Sequence, residues 1–390
     1  MTFSKRAQRL TGSSIREILK ITERPDIISF AGGLPSPASF PVGPLKDTVM
    51  RVLADAPEAA LQYGPTEGIA PLRQWVSNRF ASRGVALDPD RVLITSGSQQ
   101  GLDLIGKCLI DSNSKVLVET PSYLGALQAF SLYHPRFCAM PSDHVGIDVD
   151  ALTPELLNDA RLLYCLPNFQ NPTGRCLPLP RRQALVAKAK DAGVAVVEDD
   201  PYGELSYRGE TLPSLLSYDP DNGIYLGSFS KVLAPGLRLG YIVAPPWLYQ
   251  KLVQTKQAAD LHSPSLNQYL AYELVRDGFL EVHIPRIRQL YRDQCQLMLS
   301  ALERHFPATA SWTRPQGGMF IWVTLPEAID TQALLASAID RGVAFVPGAP
   351  FFTENAPTNT LRLSFVTVSA ERIEAGIRLL GELIQAELAR

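Results

Sequence analysis

The sequence predicts an α/β protein in which a large domain, with a mostly parallel sheet between helices, is joined to a smaller α+β domain. Short apolar runs rich in β-branched residues alternate with helix-like segments between residues 91 and 244. Strands that are buried on both faces and separated by helices are typical of a parallel sheet. From about residue 276 the pattern changes to long stretches of helical spacing interrupted by strand-like runs, which indicates a second domain. A chain of 390 residues is long enough for both.

Residues 1–50 are predicted to form an N-terminal arm and part of the small domain. Four prolines fall between residues 35 and 44, and they predict that no regular structure forms there. Residues 51–275 are predicted to form the large domain. Its helix-like segments are at 98–110, 123–132 and 178–192, and its strand-like runs are at 91–97, 115–121, 161–167, 194–200, 223–229 and 238–244.

Residues 276–390 are predicted to form the C-terminal small domain. Helical spacing extends over residues 279–306, 331–342 and 369–388, whereas the runs GGMFIWVTL, VAFVPG and TLRLSF are strand-like. This mixture is typical of an α+β unit.

Composition and charge favour small, roughly neutral binding partners. The formal net charge of −2 provides no strong attraction for nucleic acid or an anionic membrane. The apolar runs are shorter than the roughly 18 residues of a membrane span, and the first 20 residues lack the apolar core of a signal peptide, so we expect a cytoplasmic protein. The five cysteines are widely spread without ligand spacing, so we expect reduced core thiols and neither disulfides nor a metal site.

The turn after the first of these strand-like runs has the features of an anion site. In RVLITSGSQQGLDL, residues 91–104, a strand is followed by a glycine and the start of a helix. The free backbone N–H groups at such a helix start bind phosphate, which makes Ser98 and Gln99 candidate ligands. A helix N-cap formed by Ser98 alone is an equally simple explanation of this turn.

Polar side chains follow two further strand-like runs. Glu198, Asp199 and Asp200 end the run VAVVEDD, and Tyr202 follows in the same turn. A buried carboxylate needs a partner, so we expect at least one of the three to face a cation. Asn171 lies in NPTG after another such run, and ligands of open α/β sheets bind at the carboxyl ends of strands.

Lys231 lies with Ser228, Ser230 and Arg238 between two strand-like runs in YLGSFSKVLAPGLRLGYIV. Burial and the nearby arginine disfavour an ammonium group, which makes the amine nucleophilic. A lone lysine is usually a surface residue, but the complete set of groups matches one cofactor. Pyridoxal 5'-phosphate offers an aldehyde to the lysine, a ring nitrogen to a carboxylate, a phenolate oxygen to tyrosine and asparagine, and a phosphate.

The chain resembles the fold type I pyridoxal-phosphate enzymes, in particular the class I/II aminotransferases, over nearly its whole length. The segments that carry the resemblance occur in the family's order, and they are TSGSQQGLDL, NPTG, EDDPYGEL, SFSKVLAPGLRLGY and LRLSF. The head segments SSIREILK and ISFAGGLPSPASFP are similar to the subgroup of 2-aminoadipate and kynurenine aminotransferases. The resemblance implies the aspartate aminotransferase-like fold, in which the large-domain sheet is of the seven-stranded type, and a homodimer with active sites at the subunit interface.

The resemblance also implies a role for each candidate residue. Lys231 binds the cofactor aldehyde and moves a proton between substrate and cofactor, and Asp199 pairs with the ring nitrogen. Asn171 and Tyr202 hydrogen-bond the phenolate oxygen, and Tyr123 stacks on the ring. The phosphate ligands are Ser98, Gln99, Ser228, Ser230 and Arg238, and Tyr63 of the neighbouring subunit reaches the phosphate or the substrate.

In addition to Tyr63, four residues are candidates for binding the substrate. Arg362, in the strand-like TLRLSF, has a planar guanidinium that fits the α-carboxylate of an amino acid. A structural ion pair is the alternative role of Arg362. The resemblance implies that Asn171 binds the same carboxylate. Gly33 in AGGLP allows the backbone to approach the substrate. Arg16 in SSIREILK matches the subgroup's substrate arginine, although an exposed helical residue paired with a nearby glutamate fits its spacing equally well.

The predicted function is an aminotransferase that moves an α-amino group between an amino acid and a 2-oxo acid by a ping-pong mechanism. The resemblance implies broad acceptance, with 2-aminoadipate, glutamate, leucine or aromatic donors and 2-oxoglutarate as acceptor. A β-lyase or decarboxylase on the same fold would keep Lys231 and Asp199, but Arg362 favours reactions that retain the carboxylate. The same domain occurs in regulators behind a winged helix, which makes a cofactor-binding sensor a further alternative; because this sequence shows no DNA-binding segment, we expect an enzyme.

Overall fold

A seven-stranded sheet forms the centre of the protein, as seen in a computed structural model that describes residues 2–8, 24 and 26–389. In spatial order its strands are β2 (Val92–Thr95), β8 (Gly240–Val243), β7 (Ile224–Ser228), β6 (Ala195–Asp199), β5 (Ala160–Cys165), β3 (Lys115–Val118) and β4 (Arg136–Ala139). Strand β8 is antiparallel to β2 and β7, and the other neighbouring pairs are parallel. The predicted mostly parallel sheet is confirmed. Strand β4 was not predicted from the sequence, because this edge strand is partly exposed and lacks a buried apolar run.

Side chains that alternate along the strands pack into hydrophobic clusters on the two faces of the sheet. Val116 and Tyr164 belong to one cluster, and Leu117 and Leu163 belong to another. The first cluster includes side chains of α5 (Ser98–Leu109), α6 (Leu124–Ser131) and α9 (Pro246–Asp260), and the second includes side chains of α8 (Leu179–Asp191). Burial on both faces explains why these strands are continuous apolar runs in the sequence.

A second sheet lies in the C-terminal part of the chain. Its four antiparallel strands are, in spatial order, β12 (Val346–Pro347), β13 (Thr360–Ser364), β10 (Phe320–Thr324) and β9 (Ser311–Trp312). The helices of this part are α11 (Phe279–His305), α12 (Thr331–Asp340) and α13 (Ala370–Leu388). The predicted α+β mixture is confirmed. A separate parallel pair, β1 (Ile28–Ser29) with β11 (Val343–Ala344), connects the N-terminal segment to this part.

The proline-rich stretch is more regular than we predicted from the sequence. A 3-10 turn covers Pro37–Ser39, and helix α2 (Val42–Asp55) begins two residues before Pro44. Proline is tolerated in the first helical turn because the N–H groups there have no intrahelical acceptor. The prediction that residues 35–44 form no regular structure was therefore wrong.

The remaining helices are α1 (Lys5–Gln8), α3 (Pro57–Leu61), α4 (Ala70–Ala81), α7 (Pro154–Leu157) and α10 (Ser265–Val275). Among the described residues, no helix combines the length and the apolar character needed to cross a bilayer. All five cysteines are free thiols; Cys165 and Cys295 are buried, and the other three are half-buried.

Candidate active site

A cavity of 540 Å³ opens where β6 and β7 end. Its walls come from the start of α5, from the segments that follow β3, β5, β6 and β7, and from β13 of the second sheet. The predicted site residues that line it are Gly33, Ser98, Gln99, Tyr123, Asn171, Asp199, Tyr202, Ser228, Ser230, Lys231, Arg238 and Arg362. Residues that are distant in sequence meet here because the carboxyl ends of parallel strands share one edge of the sheet.

Lys231 lies in the turn after β7, and its amine faces the N-terminal segment. Its Nζ donates a hydrogen bond to the carbonyl oxygen of Gly33 at 2.9 Å. Burial, together with the positive charges of Arg362 and Arg238, lowers the pKa of Lys231 to about 8. A lysine with this pKa supplies a substantial fraction of neutral amine near neutral pH, as a nucleophile or proton acceptor requires.

The carboxylate of Asp199, the last residue of β6, has two oxygens in different environments. Oδ2 accepts a hydrogen bond from the Tyr164 hydroxyl at 2.8 Å. Oδ1 is buried and has no hydrogen-bond partner among the described residues. Burial raises the pKa of Asp199 to about 7; the bond from Tyr164 opposes this shift, and the charge of Asp200 adds to it. A donor or cation in the cavity would therefore be strongly bound by Oδ1.

The two neighbouring carboxylates do not line the cavity. Glu198 accepts hydrogen bonds from the Ser214 hydroxyl and from the backbone N–H of Leu216. Asp200 accepts from the backbone N–H of Gly203 and from the hydroxyl of Tyr225. Among the described residues, neutral donors thus bind Glu198 Oε2 and the Asp200 carboxylate, whereas Glu198 Oε1 is buried without a partner. A cation facing at least one of the three carboxylates stays a prediction.

Arg362 projects from β13 into the cavity and is bound to neutral acceptors. Its Nη1 donates to Asn171 Oδ1 at 2.7 Å, and its Nη2 donates to the Ala31 carbonyl at 2.6 Å. The guanidinium carbon lies 4.3 Å from the ring centroid of Phe320 and 5.3 Å from that of Phe351. Burial lowers the pKa of Arg362 to about 10, so the group stays charged at neutral pH. The described residues provide no ion pair for Arg362, which leaves its charge available to an anion.

The turn before α5 brings backbone N–H groups and an arginine together. Gly97 is the N-cap of α5 with φ +84°, and Ser98 is the first helical residue, so the structure does not support the N-cap explanation of Ser98. A Cβ at Gly97 would lie 2.7 Å from Arg238 Nη2, which donates to the Ser96 carbonyl at 3.3 Å. A helix N-terminus next to an arginine is suited to a phosphate.

The remaining predicted ligands surround this turn and the adjacent part of the cavity. Ser228 Oγ accepts from the backbone N–H of Ser230 at 3.1 Å, and the Gln99 side-chain amide donates to the Gly125 carbonyl at 2.9 Å. Burial raises the pKa of Tyr123 to about 12 and raises that of Tyr202 as well, so both remain hydroxyl groups at neutral pH.

Two predicted site residues are not in the cavity. The side chain of Tyr63 is 79% exposed and lines a separate groove between α3 and α10, where its ring makes an edge contact with His262 at 5.7 Å. Arg16 lies outside the described residues.

Three aromatic residues contribute to the site without having been predicted. Tyr164 binds Asp199, whereas Phe320 and Phe351 stack on Arg362. In the sequence Tyr164 and Phe320 lie in apolar runs and Phe351 lies next to Phe352 in a turn segment, and such aromatics are usually core residues. No local signal distinguishes them, because their partners come from other strands.

A half-buried ion pair behind the turn at Gly97 was also missed. The Lys256 side chain is fully buried, and its Nζ contacts Asp260 Oδ1 at 2.7 Å and Gln100 Oε1 at 3.0 Å. Gln100 Oε1 in turn accepts from the backbone N–H of Ser96 at 2.8 Å. The spacing of Lys256 and Asp260, four residues apart on one helix, is a signal from which the pair could have been found.

Comparisons with known proteins identify the family of the chain. The sequence profile of the family described as aminotransferase class I and II matches residues 36–380. A 2-aminoadipate transaminase from Thermus thermophilus is 49% identical over 392 aligned residues, which cover 99% of this chain and 97% of that relative. The crystal structure of an alpha-aminoadipate aminotransferase from the same organism, complexed with N-(5'-phosphopyridoxyl)-L-leucine, is 48% identical with a TM-score of 0.92 and covers 99% of this chain and 98% of that one.

A solved aspartate aminotransferase from Thermus thermophilus is 21% identical with a TM-score of 0.85, over 98% of this chain and 100% of that one. At this identity the likeness shows the fold, and it confirms the aspartate aminotransferase-like architecture that the motifs implied. The resemblance to 2-aminoadipate aminotransferases is likewise confirmed. With a family profile that covers most of the sequence and a relative 49% identical over nearly all of it, the chain belongs to the aminotransferase class I and II family.

Proposed function

We propose that the protein uses pyridoxal 5'-phosphate to transfer an α-amino group between an amino acid and a 2-oxo acid by a ping-pong mechanism. The observation that carries the proposal is that three groups line one cavity. They are the amine of Lys231 with its low pKa, the unpartnered Oδ1 of Asp199, and the start of α5 beside Arg238. These three groups match the aldehyde, the ring nitrogen and the phosphate of this cofactor. Family membership supports the same conclusion.

The residues present fit the cofactor at each of its polar positions. Asp199 Oδ1 is a buried acceptor that needs a donor, and a protonated ring nitrogen is such a donor. Tyr202 and Asn171 are assigned to the phenolate oxygen, and Tyr123 to the ring face. The phosphate ligands are assigned to the backbone at the start of α5, Ser98, Gln99, Ser228, Ser230 and Arg238.

The proposed mechanism assigns a proton or a substrate group to each side chain. When bound, the cofactor supplies an electron sink for the charge that develops at the substrate Cα. Lys231 takes the proton from the substrate Cα and delivers it to the cofactor. Its pKa of about 8 allows both steps near neutral pH. Asp199 holds the proton on the ring nitrogen. Arg362 and Asn171 bind the α-carboxylate and thereby orient the Cα–H bond.

The proposed donors are 2-aminoadipate, glutamate, leucine and aromatic amino acids, with 2-oxoglutarate as acceptor. The relative named for 2-aminoadipate and the structure that holds a phosphopyridoxyl-leucine support acidic and apolar donors respectively. The cavity wall combines Leu34 and Leu124 with the amide of Gln128, which is compatible with both kinds of side chain. Gly33 leaves room for the substrate beside Phe320, whose ring lies 3.3 Å from the position of a Cβ there. Arg16 remains a proposed ligand of acidic side chains.

The proposed active form is a homodimer with Tyr63 in the partner's site. Tyr63 is exposed and lines a groove separate from the cavity of its own chain, together with the exposed apolar side chain of Leu61. An exposed apolar surface of this kind is typical of an interface. The proposal includes a division of each subunit near residues 50 and 275, because the seven-stranded sheet lies within these limits and the four-stranded sheet lies outside them.

The test is a half-reaction with purified protein reconstituted with pyridoxal 5'-phosphate. A donor added alone should release one equivalent of 2-oxo acid per site and convert the cofactor's aldehyde absorbance to that of its amine form, and 2-oxoglutarate should reverse the change. Lys231→Ala should abolish both steps. Continuous release of ammonia would indicate a β-lyase, and binding without conversion would indicate a sensor.

A further inference from the structure

We propose that Tyr164 is a positioning residue that directs Asp199 Oδ1 toward the cofactor ring. This inference rests on the proposed function, because it concerns the ring nitrogen of pyridoxal 5'-phosphate. The first observation is the contact itself, in which the Tyr164 hydroxyl donates to Asp199 Oδ2 at 2.8 Å inside the protein. The second is that the other oxygen of the same carboxylate is buried and unpartnered within the described chain.

The sheet register explains why Tyr164 reaches this carboxylate. Tyr164 of β5 lies opposite Val197 of β6, and Val197 and Asp199 project from the same face of their strand because they are two residues apart. The Tyr164 ring is fully buried and packs edge-on against Phe130 with centroids 5.7 Å apart. Packing therefore fixes the hydroxyl, and the hydroxyl fixes the rotation of the carboxylate.

A neutral donor is the suitable partner for this task. A lysine or arginine at position 164 would pair with Asp199 and neutralise its charge, and the charge on the cofactor's ring nitrogen would lose its counterion. Tyr164 binds one oxygen without bringing a charge of its own. Burial and the nearby charge of Asp199 raise the pKa of Tyr164 well above its usual value, so the residue remains a donor at every working pH.

The test compares the affinities of Tyr164→Phe and the wild-type protein for two cofactors in equilibrium titrations of the cofactor-free protein. The cofactors are pyridoxal 5'-phosphate and its 1-deaza analogue, in which carbon replaces the ring nitrogen. Loss of a hydrogen bond to a charged group should weaken binding of pyridoxal 5'-phosphate about tenfold. Affinity for the deaza analogue should not change, because it has no ring N–H for Asp199 to bind.

Tyr225→Phe is the matched control. Tyr225 makes an equivalent bond to Asp200 at 2.9 Å, on a carboxylate that does not line the cavity, so its removal should leave both affinities unchanged. The effect of Tyr164→Phe should also disappear in an Asp199→Asn background. Equal losses for the two cofactors, or no loss for either, would overturn the role of Tyr164. Failure of the wild-type protein to bind pyridoxal 5'-phosphate would instead refute the proposed function.

Discussion

Lys231, Arg238 and Arg362 place three basic groups around one cavity, and Asp199 is the acidic group among the described residues that line it. This balance gives the cavity a positive potential that suits a phosphate and a carboxylate together. It also sets the chemistry of Lys231, because the two arginines add to burial in lowering its pKa. At the scale of single residues, the same two arginines therefore favour anionic ligands and make Lys231 more reactive.

The low pKa of Lys231 has a consequence for stability. Its folded value of about 8 lies below the unfolded value of about 10.4. Below about pH 8 the folded protein keeps a buried charge and is destabilised; between about pH 8 and 10 the folded lysine loses its proton while the unfolded one retains it, so stability rises with pH. We expect cofactor-free Lys231→Met to be more stable than the wild-type protein by about 1–2 kcal/mol at pH 7, and this difference to shrink toward pH 10.

Urea denaturation at the two pH values measures this difference. The exposed Lys251 provides the control, since Lys251→Met should show no pH-dependent gain. A Lys231→Met variant that is less stable than the wild-type protein at neutral pH would contradict the low pKa.

Arg362 should not tolerate replacement by lysine. Lys keeps the positive charge but loses the two-pronged fork and the stacking on Phe320 and Phe351. We expect Arg362→Lys to lower kcat/KM for amino acid donors about 100-fold, mainly through KM, with little change in cofactor affinity. Steady-state kinetics and cofactor titration measure the two quantities. The exposed Arg341 is the control, and an equal loss in Arg341→Lys would show that the effect is not local.

At the scale of elements, the site is assembled from the ends of strands and the start of one helix. The ends of β6 and β7 supply Asp199 and Lys231, and the start of α5 supplies the N–H groups beside Arg238. The ion pair of the buried Lys256 with the half-buried Asp260 on α9 supports that start through Gln100. The chemistry therefore depends on the relative positions of these strand ends and this helix start.

The glycine at the start of α5 should be essential for phosphate binding. Gly97 has φ +84° and Gly84 has φ +82°, so alanine strains the backbone at both positions, by about 1 kcal/mol each. A Cβ at Gly97 also meets Arg238 at 2.7 Å, whereas a Cβ at Gly84 meets no atom within 4 Å. We expect Gly97→Ala to weaken cofactor binding by at least about tenfold and Gly84→Ala to leave it unchanged.

Cofactor titration gives the binding constants, and urea denaturation checks that both variants have lost similar stability. Equal cofactor affinities in the two alanine variants would separate Gly97 from the phosphate site.

At the scale of the whole molecule, the N-terminal segment is held by both halves of the protein. Lys231 donates to Gly33 O from the seven-stranded sheet, and Arg362 donates to Ala31 O from the four-stranded sheet. The same segment forms β1, which pairs with β11. The cavity therefore lies between the two sheets, with this segment as a third wall.

The proposed homodimer predicts that active sites can be rebuilt from two defective subunits. Lys231→Ala and Tyr63→Ala should each have very low activity alone. If Tyr63 acts in the partner's site, a mixed dimer contains one intact site, and random assembly gives about a quarter of wild-type activity. Co-expression of the two chains, followed by activity per subunit, measures this recovery. No recovery in verified mixed dimers would place Tyr63 in its own subunit's site or outside the site.

The local sequence patterns predicted much of this protein. Buried strands appear as apolar runs and helices as periodic ones, so the order of most elements and the mostly parallel sheet followed from them. The motifs around Lys231, Asp199, Asn171 and Arg362 indicated the family, which the comparisons confirmed. The individual roles of these residues stay predictions, and Arg16 lies outside the described residues.

Tertiary structure decided what depends on contacts between distant segments. It placed β4 at the sheet edge, turned Asp199 toward the cavity while Glu198 and Asp200 bind other donors, and brought Tyr164 to Asp199. The physical reason is that a strand's own sequence fixes its burial, whereas its neighbours and register arise from packing of the whole chain. The sequence thus determined which chemical groups the protein carries, and the fold determined which of them meet.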